Sequence, residues 1–251
     1  GSDVDVALLL DAGYDRAAHP LYQLERMTDL DVLLGCPVDV VILNEAPLVL
    51  RNQVLTYGRR IHETDHKQRV EYEVRSRQAY WDFKPILDRI TTAQRRHIKE
   101  GTYGRVRLRY NSEVIETRLA MLSGRVNDLR ALKSTTYEQY ADNRILRGYV
   151  ERTLQVCAQI CLDVSGHLIA ELEFRPPADS RDVLLILNEE GIISDDLLPD
   201  LTNMVGFRNL IAHDYARVDD RLVYAVLQDH VADFGRFAAS VIAFLEQAGI
   251  D

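Results

Sequence analysis

At the start of the chain, acids alternate with Val before an apolar run takes over. Asp3-Val4-Asp5-Val6 leads into Ala7-Leu8-Leu9-Leu10, which predicts a strand over residues 3–11 entering a core. From 19 to 34 the apolar positions Leu21, Leu24, Met27, Leu30 and Leu34 recur at helical spacing, and Gly35 closes that helix. Val38 to Leu43 predicts a second strand, opened by Pro37. Pro47 stands where a first helical residue would be, and 48–57 continues as a helix ending at Gly58. Strand–helix–strand–helix order predicts a small α/β domain with a short sheet. A long helix rich in Arg and Glu is predicted over 65–99, ending before Gly101.

Residues 102–110 read as a connector, and everything beyond is helical in pattern. Ser112 can cap a helix to about residue 132, and Ser134 or Thr135 a longer one from about 137 to 172. Pro176-Pro177 breaks it, and 180–190 gives a short helix stopped by Gly191. Ser194-Asp195-Asp196 opens a helix running towards Tyr215, and the last covers 219–247. The second half is therefore predicted to be an all-α bundle of about five helices. The predicted organisation is α+β, with an α/β domain at 1–101, a linker at 102–110 and a helical domain at 111–251.

With 251 residues, 47% of them hydrophobic, the chain is large enough for two cores. A formal net charge of −9 argues against a generally basic nucleic-acid coat, and leaves room for a local basic site that handles RNA rather than DNA. Cys36, Cys157 and Cys161 are too few and too unevenly spaced for a disulfide framework, which predicts a reducing, cytoplasmic setting. No uninterrupted apolar run reaches the ~18 residues of a membrane span, so no membrane partner is expected. The chain opens inside a strand pattern with no Met before it. We expect the first domain to be N-terminally truncated, or Gly1-Ser2 to be a cloning remnant.

The clearest chemical signal is Arg208-Asn209-Leu210-Ile211-Ala212-His213-Asp214-Tyr215. Cleaving RNA without a metal needs a proton-transfer group with a pKa near neutrality, which His213 supplies. It also needs a fixed cation facing the phosphate, which Arg208 supplies through its planar fork. Asn209 lies four residues before His213, on the same helical face, and can orient its ring. Arg208 and His213, five apart, stack poorly on a single helix, and a symmetric pair of subunits with two motifs across one cleft would ease this. Arg, four residues, His, one residue, Tyr near the end of the penultimate helix resembles the HEPN superfamily of helical ribonucleases. Over about residues 111–251 the chain looks most like its HepT toxin branch. That resemblance implies an RNase, metal-independent and at least dimeric, acting on tRNA or mRNA.

Asp3 and Asp5 alternate on the first strand, so both side chains leave one face, and Asp39 sits near the start of the second. If the strands are neighbours the three carboxylates converge, and hard oxygen donors at close range suit Mg²⁺ bound with a substrate's phosphates. Over about residues 1–100 this resembles the minimal nucleotidyltransferases of the DNA polymerase β superfamily, specifically the MntA antitoxins paired with HepT. The family signature is Gly-Ser, a spacer of about ten residues, Asp-x-Asp and a later Asp; here Gly1-Ser2 abuts the Asp pair directly. Without the phosphate-cradling loop, poor ATP binding is expected. The resemblance implies transfer of AMP from ATP to the motif tyrosine, Tyr215, with Asp3, Asp5 and Asp39 as metal ligands and Asp39 assisting removal of the phenol proton.

Other patterns are weaker. His62-Glu63-Thr64-Asp65-His66 matches H-E-x-x-H, but Thr64-Asp65 look like the cap of the next helix, so the histidines need not converge on zinc. Cys157 and Cys161 read as buried structural thiols, His167 as a helix residue, and Trp81 and Phe83 as packing against the small sheet. Arg105, Arg107 and Arg109 alternate in the connector and read as a solvated linker or phosphate contacts. Three functions compete on this evidence. They are an active AMP transferase–RNase pair, a degenerate transferase domain that inhibits the RNase by binding only, and a non-catalytic HEPN assembly module.

Overall fold

The computed structural model describes residues 4–11, 13–14, 19, 21–99, 112–213 and 219–248. The chain forms two compact units, Gly1–Asp82 and Phe83–Asp251.

In the first unit, β1 (Val4–Leu8) and β2 (Val38–Ile42) form a two-stranded parallel sheet joined through α1 (Tyr22–Leu34). α2 (Leu48–Tyr57) and the first part of α3 (His66–Lys99) complete it. Val38, Val40 and Ile42 point into the core with Leu43, Ala46 and Leu48. The outer edge of β2 is not left open. Asp31 of α1 accepts from the Val38 amide at 2.6 Å and Gln23 donates to the Val40 carbonyl at 2.6 Å, so one helix satisfies backbone groups that a third strand would otherwise take. Gly35 ends α1 at φ 68°, a left-handed turn that favours glycine. Beyond the strands, Asn44 bonds both the amide and the carbonyl of Leu10, and the Tyr72 hydroxyl of α3 donates to the Leu43 carbonyl at 2.6 Å.

The second unit is helical: the rest of α3, then α4 (Ser112–Ala131), α5 (Tyr137–Asp142), α6 (Arg144–Glu171), α7 (Asp182–Glu189), α8 (Leu198–His213), α9 (Asp220–Asp229) and α10 (Val231–Gln247). α6 is its axis. Val150, Leu154, Cys157, Cys161, Val164 and Leu168 are all buried, and α4, α7, α8 and α10 pack on it. It is the one helix among the described residues long and apolar enough to cross a membrane, yet 72% of that apolar window is buried within the protein, as befits a core helix.

The element order follows the sequence pattern, with differences that have local causes. The helix expected over 137–172 is two. Thr136, rather than Ser134 or Thr135, caps α5 in a reciprocal box with Gln139, and Asn143, at φ −108° and ψ 94°, ends it and caps α6 by accepting from the Leu146 amide. The last expected helix also divides, at His230, so the bundle has more helices than five. The units divide inside α3, whereas the sequence reading put the first domain's end at 101. Phe83, Ile86, Ile90 and Ala93 are buried in the helical unit. Phe83 therefore belongs to the helical core, not to the sheet, and Trp81 is 63% exposed. The linker expected at 102–110 lies outside the described residues.

Candidate functional sites

In the first unit the parallel register pairs Asp5 with Asp39 and Val6 with Val40. Register partners on neighbouring strands point to the same face, so the two carboxylates stand side by side on the exposed side of the sheet, while Val40 faces the core. Two carboxylates held about one strand spacing apart form a hard-oxygen donor pair suited to a divalent cation. The third predicted ligand, Asp3, lies outside the described residues.

The H-E-x-x-H string has no zinc geometry. α3 begins at His66, so His62 and Glu63 precede it. Glu63 instead accepts from Arg69 at 3.0 Å and pairs with His66 and Arg60. Those partners outweigh its desolvation and hold its pKa below the ordinary carboxylate value.

In the second unit, Arg208 and Asn209 sit in the last turns of α8 and His213 is its final residue. The His213 side chain and Tyr215 lie outside the described residues. Arg208 is half-buried and held from two sides: Nη1 donates to Asn209 Oδ1 at 3.0 Å and Nη2 to Gln159 Oε1 of α6 at 2.8 Å. Gln159 Nε2 in turn donates to Asp163 Oδ1 at 3.0 Å, while Asp163 Oδ2 accepts from Arg118 Nη1 of α4 at 2.5 Å. The Asp163 backbone carbonyl accepts from Arg89 Nη1 of α3 at 2.8 Å. The order of this chain has a simple cause. An ionised carboxylate only accepts, so Asp163 turns the Gln159 amide nitrogen towards itself and leaves the amide oxygen for the guanidinium of Arg208. Burial lowers the Arg89 pKa, with Asp163 opposing and Arg118 reinforcing that shift. Gln159, Asp163, Arg118 and Arg89 carry no sequence signal as partners of Arg208, because they are distant in the chain and belong to no motif.

Cys157 and Cys161 are buried, and loss of solvent pushes the Cys157 thiol up to about 12 and Cys161 higher than its usual value, so both are unreactive core thiols. Asp200, His230 and Asp233 also come together where α8 begins and α9 meets α10. Arg236 stands among them, 3.3 Å from Asp233, 3.6 Å from Asp200 and bonded to Asp196, and neutralises the group as an ion-pair network.

A nucleotidyltransferase-type α/β unit followed by a HEPN-type helical unit is the class these elements define. The HepT-like ribonuclease family matches residues 122–241, and the polymerase β nucleotidyltransferase family matches residues 1–67. The mRNA nuclease HepT of Shewanella oneidensis is 32% identical over 99 residues, covering 39% of this chain and 74% of that protein. The tRNA nuclease HepT of Aphanizomenon flos-aquae is 20% identical over 132 residues, 53% of this chain and 90% of its own length. Among solved structures, a tri-AMPylated Shewanella oneidensis HEPN toxin in complex with an MNT antitoxin aligns with 27% identity and a TM-score of 0.49, over 52% of this chain and 97% of that one. The cytosolic protein of unknown function YutE from Bacillus subtilis aligns with 18% identity and a TM-score of 0.50, over 57% of this chain and 95% of that one, a likeness of fold alone. The chain belongs to the HepT-like ribonuclease family, joined to an N-terminal polymerase β-type nucleotidyltransferase domain.

Proposed function

We propose that this chain is a toxin–antitoxin pair on one polypeptide, an RNase neutralised by AMP transfer from its own first domain. The observation that carries the reading is the consecutive match of a nucleotidyltransferase family over 1–67 and a HepT-like ribonuclease family over 122–241. In the RNase half, His213 takes the proton of an RNA 2′-hydroxyl, whose oxygen bonds to phosphorus as the 5′-oxygen leaves, and Arg208 meets the charge that develops on the phosphate. Both groups are protein side chains, so cleavage runs without a metal. Two copies of the helical domain facing each other across one cleft complete the site.

In the first half, Asp5 and Asp39, with Asp3, would hold Mg²⁺, which supplies charge neutralisation on the phosphates of ATP. The phenol oxygen of Tyr215 forms a bond to the α-phosphorus of ATP while the bond from that phosphorus to its bridging oxygen breaks. Pyrophosphate leaves, and the phenol proton passes to Asp39. A bulky anion on Tyr215 then blocks the cleft by size and by repelling RNA phosphate. One chain fixes the ratio of the two domains and raises the effective concentration of each for the other.

Intact mass of the purified full chain before and after Mg-ATP, with the adduct located by fragmentation, tests the transfer. One or more AMP increments on Tyr215 are expected, and an unmodified mass in both samples overturns it. RNA cleavage in EDTA, lost in His213→Ala, tests the RNase.

A further inference from the structure

The helical unit has an open cavity of about 480 Å³ between α3, α4 and α6, whose charged and titratable lining is Asp88, Arg89, Arg96, Arg118, His167 and Glu171. We infer that this cavity holds a phosphodiester of the RNA strand outside the Arg208 motif, an inference that rests on the RNase reading above.

The lining carries three arginines, Arg89, Arg96 and Arg118, against two carboxylates, Asp88 and Glu171. An excess of fixed cation at one surface of a protein that is acidic overall favours a polyanion there.

The three arginines are each anchored at one end. Arg118 gives Nη1 to the Asp163 carboxylate, Arg89 gives Nη1 to the Asp163 carbonyl, and Arg96 gives Nη2 to both oxygens of Glu171 at 2.9 and 2.7 Å. Each guanidinium has five donors, so one anchored end leaves others for an incoming oxyanion and fixes their direction in advance.

The volume suits a small ligand or one nucleotide unit. The described lining carries no Phe, Tyr or Trp on which an adenine could stack, so the site reads backbone phosphate rather than base. It also communicates with the proposed catalytic arginine, because Asp163, which holds Arg89 and Arg118, orders Gln159 against Arg208.

The test measures binding of a labelled single-stranded RNA, as a function of KCl, to the full chain carrying His213→Ala and Tyr215→Phe, which abolishes cleavage and leaves no phenol for AMP. Relative to that parent, Arg96→Gln is expected to weaken binding roughly three- to tenfold at low salt and to reduce the salt slope by about 0.7, the value for one phosphate contact on a single strand. Arg96→Lys should retain the slope. Arg95→Gln, the exposed neighbour that does not line the cavity, should match the parent. Should Arg96→Gln lower the melting temperature, Thr92→Glu, which puts a carboxylate at the same lining, serves in its place and is expected to weaken binding further. Unchanged RNA affinity and slope in these variants, or an equal loss in Arg95→Gln, overturns the site. So does a loss of Mg-ATP binding in Arg96→Gln with RNA binding intact. Failure of the RNase reading shows separately, as an unsubstituted chain whose intact mass carries no AMP and that still cleaves no RNA.

Discussion

Asp5 and Asp39 are register partners across the parallel β1–β2 pair, two exposed carboxylates side by side with no cation of the protein between them among the described bonds. Like charges placed directly opposite on a sheet are unfavourable, so a fold that keeps them invites a cation. Replacing either Asp by Asn is therefore expected to leave the melting temperature unchanged or slightly raised, within about 0.5 kcal/mol. AMP addition to Tyr215 from Mg-ATP should fall at least ~100-fold in Asp39→Asn, read by intact mass against time. A variant that transfers at the parental rate removes Asp39 from the chemistry.

The Asp163–Gln159–Arg208 relay makes a sharper demand, because it predicts that exchanging two functional groups restores what removing one destroys. Gln159→Leu takes away the acceptor that fixes Arg208, and kcat for RNA cleavage should fall roughly 10- to 100-fold with KM little changed. The paired change Gln159→Glu with Asp163→Asn swaps carboxylate and amide along the relay. It keeps a donor–acceptor bond between α6 residues and an acceptor facing Arg208. Recovery of most of the lost kcat in the pair, and not in Asp163→Asn alone, identifies orientation as the role of Gln159.

How far the sequence speaks depends on distance along the chain. The two strands and their order and the Gly35 stop were legible because alternation and caps are local, although β1 ends at Leu8 rather than at 11. Asp5 and Asp39 come together because the strands are neighbours, which the pattern left as a condition. The Asn143 break was not. Residues 137–142 and 144–171 share one helical period, and the interruption comes from a single polar side chain that bonds the Leu146 amide. The division inside α3 was equally hidden, since Phe83, Ile86 and Ile90 show an apolar stripe without stating which partner covers it. The motif at 208–215 was visible as a string. Its support by Gln159 and Asp163 was not, because hydrogen bonds between α6 and α8 leave no periodic trace.

His167 sets a pH dependence. Burial lowers its pKa from 6.5, Glu171 opposes the shift, and Arg89, Arg118 and Arg96 reinforce it. With the folded value below the unfolded one, the unfolded chain binds more protons in between. The stabilising contribution is therefore complete above about pH 6.5 and is lost as pH falls towards the folded pKa. Unfolding free energies from denaturant titrations between pH 7.5 and 5 should decline with a slope of up to ~1.4 kcal/mol per pH unit from this group. His167→Gln should flatten that part of the profile, and an identical slope in the variant assigns it to other groups.

Gly166 lies in the middle of α6, where alanine would ordinarily help by about 1 kcal/mol. Here it should not. A Cβ at 166 would come 2.7 Å from Ile86 Cγ2, a methyl on a β-branched side chain only 1% exposed, which has no room to turn away. Overpacking of this kind costs roughly 1–3 kcal/mol, so Gly166→Ala should be net destabilising. The choice of second substitution isolates the cause. Ile86→Leu removes the offending γ-methyl at nearly constant volume, whereas Ile86→Val keeps a methyl at that position. Gly166→Ala should therefore be partly rescued by Ile86→Leu, with a coupling of about 1 kcal/mol in a double-mutant cycle, and not by Ile86→Val. Because Ile86 belongs to the second half of α3, such coupling would also tie that half of the helix energetically to α6, as the division of the two units after Asp82 requires.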